Sequence, residues 1–156
     1  MFVRDIDIEN FRCFEKMHVV LDRNCNVVIG NNGEGKTAFL EAVAAAVSAY
    51  LIGFDGQTYF HVSRGDIRRK RFLINHTIDE QYLLPLRISV SGEIVGKEFR
   101  STDWSLELRN VAGRTSHKGI EKIISHVRNI QSAIRNGDAE VILPIVSYYS
   151  TARLWK

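Results

Sequence analysis

The feature that most constrains this chain is Gly30 to Thr37, Gly-Asn-Asn-Gly-Glu-Gly-Lys-Thr, set between the apolar run Val27-Val28-Ile29 and Phe39-Leu40-Glu41-Ala42-Val43. It spells G-x-x-x-x-G-K-T, a phosphate-binding loop, which requires a strand before it and a helix after it. Both flanks are present in that order. With glycine near 7 per cent of residues, the pattern arises by chance in roughly one chain in two hundred of this length. Requiring the flanks makes chance rarer still.

The residue types follow from the chemistry of an anion site. Gly30, Gly33 and Gly35 lack the Cβ that would obstruct a left-handed backbone and close approach to a polyphosphate. The amides of Asn31, Asn32, Gly33, Glu34, Gly35, Lys36, Thr37 and Ala38 are then expected to line a nest, to which the helix N-terminus adds partial positive charge. Lys36 is assigned to the β- and γ-phosphates and the Thr37 hydroxyl to the magnesium ion that bridges them. The expected ligands are ATP and Mg2+.

The rest of the chain reads as an α/β domain. Phe2 to Phe11 alternates, with Ile6 and Ile8 on one face and Asp5, Asp7 and Glu9 on the other, and Met17 to Leu21 is its expected partner strand. Asn26 to Ile29 is the expected third strand. The helix from Gly35 to about Ile52 is apolar almost all round, so it has to be covered on most sides. Tyr82 to Val95 and Lys97 to Leu108 suggest an antiparallel side sheet turning at Ser91-Gly92-Glu93, within a β-rich stretch over 55–115. Ser116 is positioned to cap an amphipathic helix carrying Ile120, Ile123, Ile124, Val127, Ile130 and Ile134, closed by Asn136-Gly137. Val141 to Tyr149 reads as a buried strand interrupted by Pro144.

The 156 residues, 45% hydrophobic and 25% charged, suit one globular domain. A net charge of +3 permits a nucleic-acid partner without arguing for one. Arg64, Arg68, Arg69, Lys70 and Arg71 form a basic cluster, read either as a solvated face or as a phosphate-backbone contact surface. Cys13 and Cys25 fit no zinc spacing and are expected as free thiols. His18, His61, His76, His117 and His126 show no paired ligand spacing. No secretory signal follows Met1, and the uncharged stretch Ala42 to Phe54 is shorter than the ~20 residues of a membrane span. A cytoplasmic protein without membrane partners is the expectation.

Ile8-Glu9-Asn10-Phe11-Arg12-Cys13-Phe14, the glycine-rich loop and Phe39-Leu40-Glu41-Ala42 together resemble the N-terminal lobe of ABC-type ATPase heads of the SMC, RecF and OLD group. The closing Leu143 to Trp155 is similar to a segment of bacterial AAA-family ATP-binding proteins, among them the PtuA-like ATPases of anti-phage defence and retron systems. The resemblance implies a P-loop NTPase lobe with a mixed sheet and flanking helices. It also implies head-to-head dimers sandwiching two ATP molecules, an attached nuclease or other effector, and DNA or RNA as a further partner. The residue matching Arg12 lies near the nucleotide or at the DNA-facing rim in that group, so Arg12 joins the candidate contacts; the alternative is a surface arginine at a strand end.

Several of the group's parts have no match here. No hydrophobic run ending in Asp-Glu follows the loop, no Leu-Ser-Gly-Gly signature or switch histidine is found, and no glutamine stands around Ser150 to Arg153. The chain reads as one N-terminal lobe over 1–156, lacking a C-terminal lobe with those motifs and unable to hydrolyse ATP alone. Two rivals remain open: another P-loop enzyme such as a kinase or GTPase, the latter without its Asn-Lys-x-Asp motif, and a non-catalytic interaction module.

Overall fold

The computed structural model describes residues 1–57, 59–74, 77–94 and 101–150. Val95, Lys97, His76 and the closing Thr151 to Trp155, which entered the expectations above, lie outside the described residues.

Alternation builds the main sheet. β1 (Phe2–Phe11), β2 (Phe14–Val20), β5 (Leu86–Glu93), β6 (Thr102–Leu108) and β7 (Ser116–Lys118) run in the order β2-β1-β5-β6-β7, every neighbouring pair antiparallel. Register aligns the apolar sets into rows across the strands: Ile6 faces Val90 and Val90 faces Trp104, while Ile8 faces Ile88 and Ile88 faces Leu106. These side chains are buried to within a few per cent of their surface. Each contributes about 1.5–3 kcal/mol by leaving water.

Helix α1 (Lys36–Ser48) covers that face. Ala42, Ala45, Ala46 and Ala49 are small enough to let the helix lie close to the strands, and the buried Trp104 Nε1 donates to Ala46 O at 2.9 Å. A 3-10 turn, Leu51–Gly53, follows and receives helix α2 (Glu121–Arg135), with Val127 and Ile124 lying against Gly53. Asn136 and Gly137 close α2 as expected, with Gly137 N–H donating to Ile134 O and Asp138 N–H to Ala133 O, the Schellman arrangement.

Several expected elements change place. Ser116 does not cap α2; it lies in β7 and its hydroxyl donates to Glu107 O, while the helix starts at Glu121. Ser91-Gly92-Glu93 is the end of β5 rather than a turn. Glycine is needed at 92 because a Cβ there would lie 2.3 Å from Phe2 O. The expected side sheet divides, since β5 and β6 join β1, whereas β3 (Arg69–Ile74) and β4 (Thr77–Tyr82) form a separate antiparallel hairpin.

The largest correction concerns the two continuous apolar runs. Neither Val27–Ile29 nor 141–149 pairs into a strand, and Val27, Ile29 and Ile145 are 79%, 86% and 95% exposed. A run apolar on both faces belongs in a sheet covered on both sides; the described residues give neither run a strand neighbour, and the second only meets α1 and Phe60 along Val146 to Tyr149. The segment Lys36–Gly53 is long and apolar enough to cross a membrane by length and composition alone, but half of it is buried against the sheet and α2. It is the core helix of this fold.

Candidate functional site

The loop from Gly30 to Thr37 joins the exposed run Val27–Ile29 to α1. Gly35 is the N-cap of that helix in a left-handed conformation (φ 93°), and a Cβ on it would lie 2.5 Å from Cys13 Sγ and 2.9 Å from Phe14 Cζ. Two demands therefore exclude a side chain here: the backbone must be left-handed, and the β1–β2 turn rests directly on the loop. In sequence that turn enters through the resemblance, which places Arg12 near the nucleotide or at the DNA-facing rim; its packing against the glycine-rich loop is seen only in the fold.

The first-turn amides of Lys36, Thr37 and Ala38 have no partner within the helix, and no acidic side chain occupies the first turn. Thr37 is exposed on that turn. Lys36 folds back over the loop, its Nζ donating to Gly30 O at 2.8 Å and Asn31 O at 2.7 Å. Its charge is thus held over the arch. Two of the expected nest amides are engaged inside the loop: Asn31 N–H donates to Glu34 Oε2 at 2.7 Å, and Glu34 N–H to Asn31 O at 3.3 Å. Glu34 is held below the ordinary carboxylate range, first by the Asn31 side-chain amide and then by the Asn31 backbone N–H.

These residues fit a nucleotide's phosphates. A left-handed glycine arch, open helix-start amides and an inward ammonium supply the donors, and the exposed Thr37 hydroxyl is the one candidate oxygen on the helix start for a magnesium ion. Among the described residues, no cluster of three or more His, Cys, Asp or Glu forms a metal site, and Cys13 and Cys25 are free thiols.

Arg12 is turned inward. Its Nε and terminal nitrogen both reach Asp66 Oδ1 at 2.9 Å, it pairs with Glu41 on α1, and its guanidinium lies 5.4 Å from the Phe11 ring. Asp66 is itself buried, and its other oxygen accepts from the Ser63 N–H and hydroxyl in a capping box. Arg12 N–H also donates to Asp66 O. Asp66 and Glu41 were missed in sequence, although Ser63-Arg64-Gly65-Asp66 carries the capping-box spacing that could have revealed one of them.

The basic cluster is largely engaged with the protein. Arg69 and Arg71 both pair with Glu80 across the β3–β4 hairpin, Arg68 bonds Cys13 O and lies 3.6 Å from Glu15, and Arg64 donates to the Tyr82 hydroxyl. Lys70 lies over the Phe72 ring. These contacts tie the root of the hairpin to the β1–β2 turn, and through that turn to the loop.

Comparison with known proteins agrees with this geometry. The AAA domain family profile matches residues 5–156. The chain is similar to the DNA replication and repair protein RecF of Agathobacter rectalis, 36% identical over 100 residues, which is 59% of this chain and 25% of that protein. It is similar to RecF of Lactobacillus acidophilus, 32% identical over 84 residues (48% and 22%), and to RecF of Clostridium tetani, 44% identical over 43 residues (28% and 12%). The matched part spans a quarter or less of these relatives' length. With the phosphate loop, the antiparallel sheet and these matches together, the chain belongs to the AAA domain family, as an ATPase lobe of the SMC/RecF group.

Proposed function

We propose that the protein is the ATP-binding half of an ABC-type head, in which Mg-ATP binding is coupled to head dimerisation and to control of nucleic-acid processing. The observation that carries this reading is the glycine arch with the Lys36 ammonium over it and the open amides of the α1 start beneath. Lys36 would hold the β- and γ-phosphates and Thr37 the magnesium ion, which supplies charge neutralisation between them. The setting is DNA repair or anti-phage defence in the cytoplasm, with a nuclease or similar effector as partner; the RecF relatives support the repair arm.

A second lobe bearing the Asp-Glu pair and the signature loop completes the site. Support comes from Val27–Ile29 and 141–149, apolar runs with no strand neighbour among the described residues. By itself the chain binds nucleotide weakly and does not turn it over. Titration of the purified chain with Mg-ATP should give measurable binding that Lys36→Ala weakens by about 30- to 100-fold, the value of charge-assisted bonds. Rapid single-turnover hydrolysis abolished by Lys36→Ala would reject the claim of incompleteness, and a strong preference for GTP would favour another P-loop class.

A second reading, a nucleotide-independent interaction module, draws on the fact that both charged side chains of the loop are already satisfied by loop groups. It wins if Mg-ATP fails to bind even with the second lobe supplied. DNA contact through Arg64 and Lys70 would show as affinity falling steeply with salt and lost on reversing those two charges.

A further inference from the structure

The loop contains its own anion. Glu34 Oε2 accepts the Asn31 backbone N–H at 2.7 Å while Oε1 accepts the Asn31 side-chain N–H at 2.9 Å, so one carboxylate grips one residue at two points. The carboxylate sits tight against residue 30, where a Cβ would lie 2.6 Å from Glu34 Oε2 and the end of that side chain would have to shift. A carboxylate accepting a main-chain amide in a glycine-rich nest makes the contact that a phosphate oxygen makes. Lys36, the cation that a phosphate would seek, meanwhile donates to the carbonyls of Gly30 and Asn31, the same short segment.

We propose that Glu34 is an internal competitor of the nucleotide, a latch whose carboxylate holds the Asn31 amide and has to be displaced before the loop closes on a phosphate. This deepens the ATP-binding reading and rests on it. Two effects act in one direction. The loop is competent only in the fraction of molecules whose latch is open, and apparent affinity falls by that fraction. Once displaced, the carboxylate remains tethered three residues from Asn31, where its charge repels the arriving phosphate. The opposite assignment, in which Glu34 preorganises the loop for its ligand, predicts the opposite sign on removal.

The test is calorimetric titration of Mg-ATP and Mg-ADP into the wild-type protein, Glu34→Ala, Glu34→Gln and each in a Lys36→Ala background, with thermal melts as a folding check. Glu34→Ala should bind about three- to tenfold tighter than wild type. Glu34→Gln, which keeps an acceptor oxygen but loses the charge, should fall between. The Asn31 amide proton should move upfield in Glu34→Ala as its acceptor is removed. Lys36→Ala should abolish the gain, placing the measured binding at this loop. Equal or weaker binding by folded Glu34 variants, with the wild type still binding, overturns the latch and leaves the phosphate site standing. Absence of binding in all variants and the wild type overturns both. Should Glu34→Ala not fold, Glu34→Gln decides by the same sign.

Discussion

Set the β1/β5/β6 sheet beside the runs at 27–29 and 141–149. Both were read as strands, and only the first became one. Ile6, Ile8, Ile88 and Leu106 alternate with polar residues, so a single covering helix satisfies them, and α1 follows β1 and β2 closely in the chain. Val27-Val28-Ile29 and Ile145-Val146 are apolar on consecutive positions, so they require neighbours on both faces. A half-buried strand can be satisfied locally. A doubly buried one depends on whatever comes to cover it. The chain accordingly divides into a self-sufficient sheet layer and a phosphate loop hung from a segment still exposed to water.

The strongest way to break this contrast is to compare deletions in the two regions. Trp104→Ala removes a buried ring and its bond to Ala46 O and should cost about 3–5 kcal/mol in urea unfolding. An effect below 1 kcal/mol would mean that the sheet layer is not where stability resides. Next, Arg12→Ala should cost about 1–3 kcal/mol, because it strips donors from the buried carboxylate of Asp66. Arg12→Lys should recover only part of that in the same melts, since an ammonium lacks the fork that reaches Asp66 twice while pairing with Glu41. Ile145→Ser should stay within about 0.5 kcal/mol in the chain alone. The same substitution should become costly when a covering lobe is present, which sharpens the comparison directly.

How much of this was legible depended on the range of the interaction. The β1 alternation, the loop pattern and the α2 ending at Asn136-Gly137 are local and could be read directly. Arg12 with Asp66 spans 54 residues, and no local pattern announces such a pair. Gly92 carries the mark of a turn, as glycine usually does, whereas here it admits Phe2 O from the neighbouring strand. Ser116 has the chemistry of a cap, but the edge of β6 captured it first. Val27 to Ile29 misled for the opposite reason: the local signal is strong, but a strand needs neighbours, and the described residues supply none.

The smallest expected effect concerns acid. Arg71 and then Arg69 hold Glu80 below the ordinary carboxylate value of 4.5, and Arg87 and then Arg109 do the same for Glu107. A depressed folded value means that each contribution is present above the unfolded pKa and lost as pH falls through the folded one. Amide exchange along Lys70–Gln81 should therefore quicken as pH drops below that range, after correction for intrinsic rates. The ladder at Arg87–Glu107 should stay protected, because a buried row lies beneath it and, among the described residues, nothing comparable lies beneath the hairpin. Equal loosening of both ladders would erase the distinction.

An aliphatic ribbon open to water does not stay indifferent to its surroundings. With Val27, Ile29, Ile142 and Ile145 all bare, the chain carries adhesive strips, one of them leading directly into its phosphate loop. Crowding molecules together in solution gives those strips one another to adhere to, so dilution and mild chaotropes should favour dispersed particles, whereas sulfate salts should drive clumping.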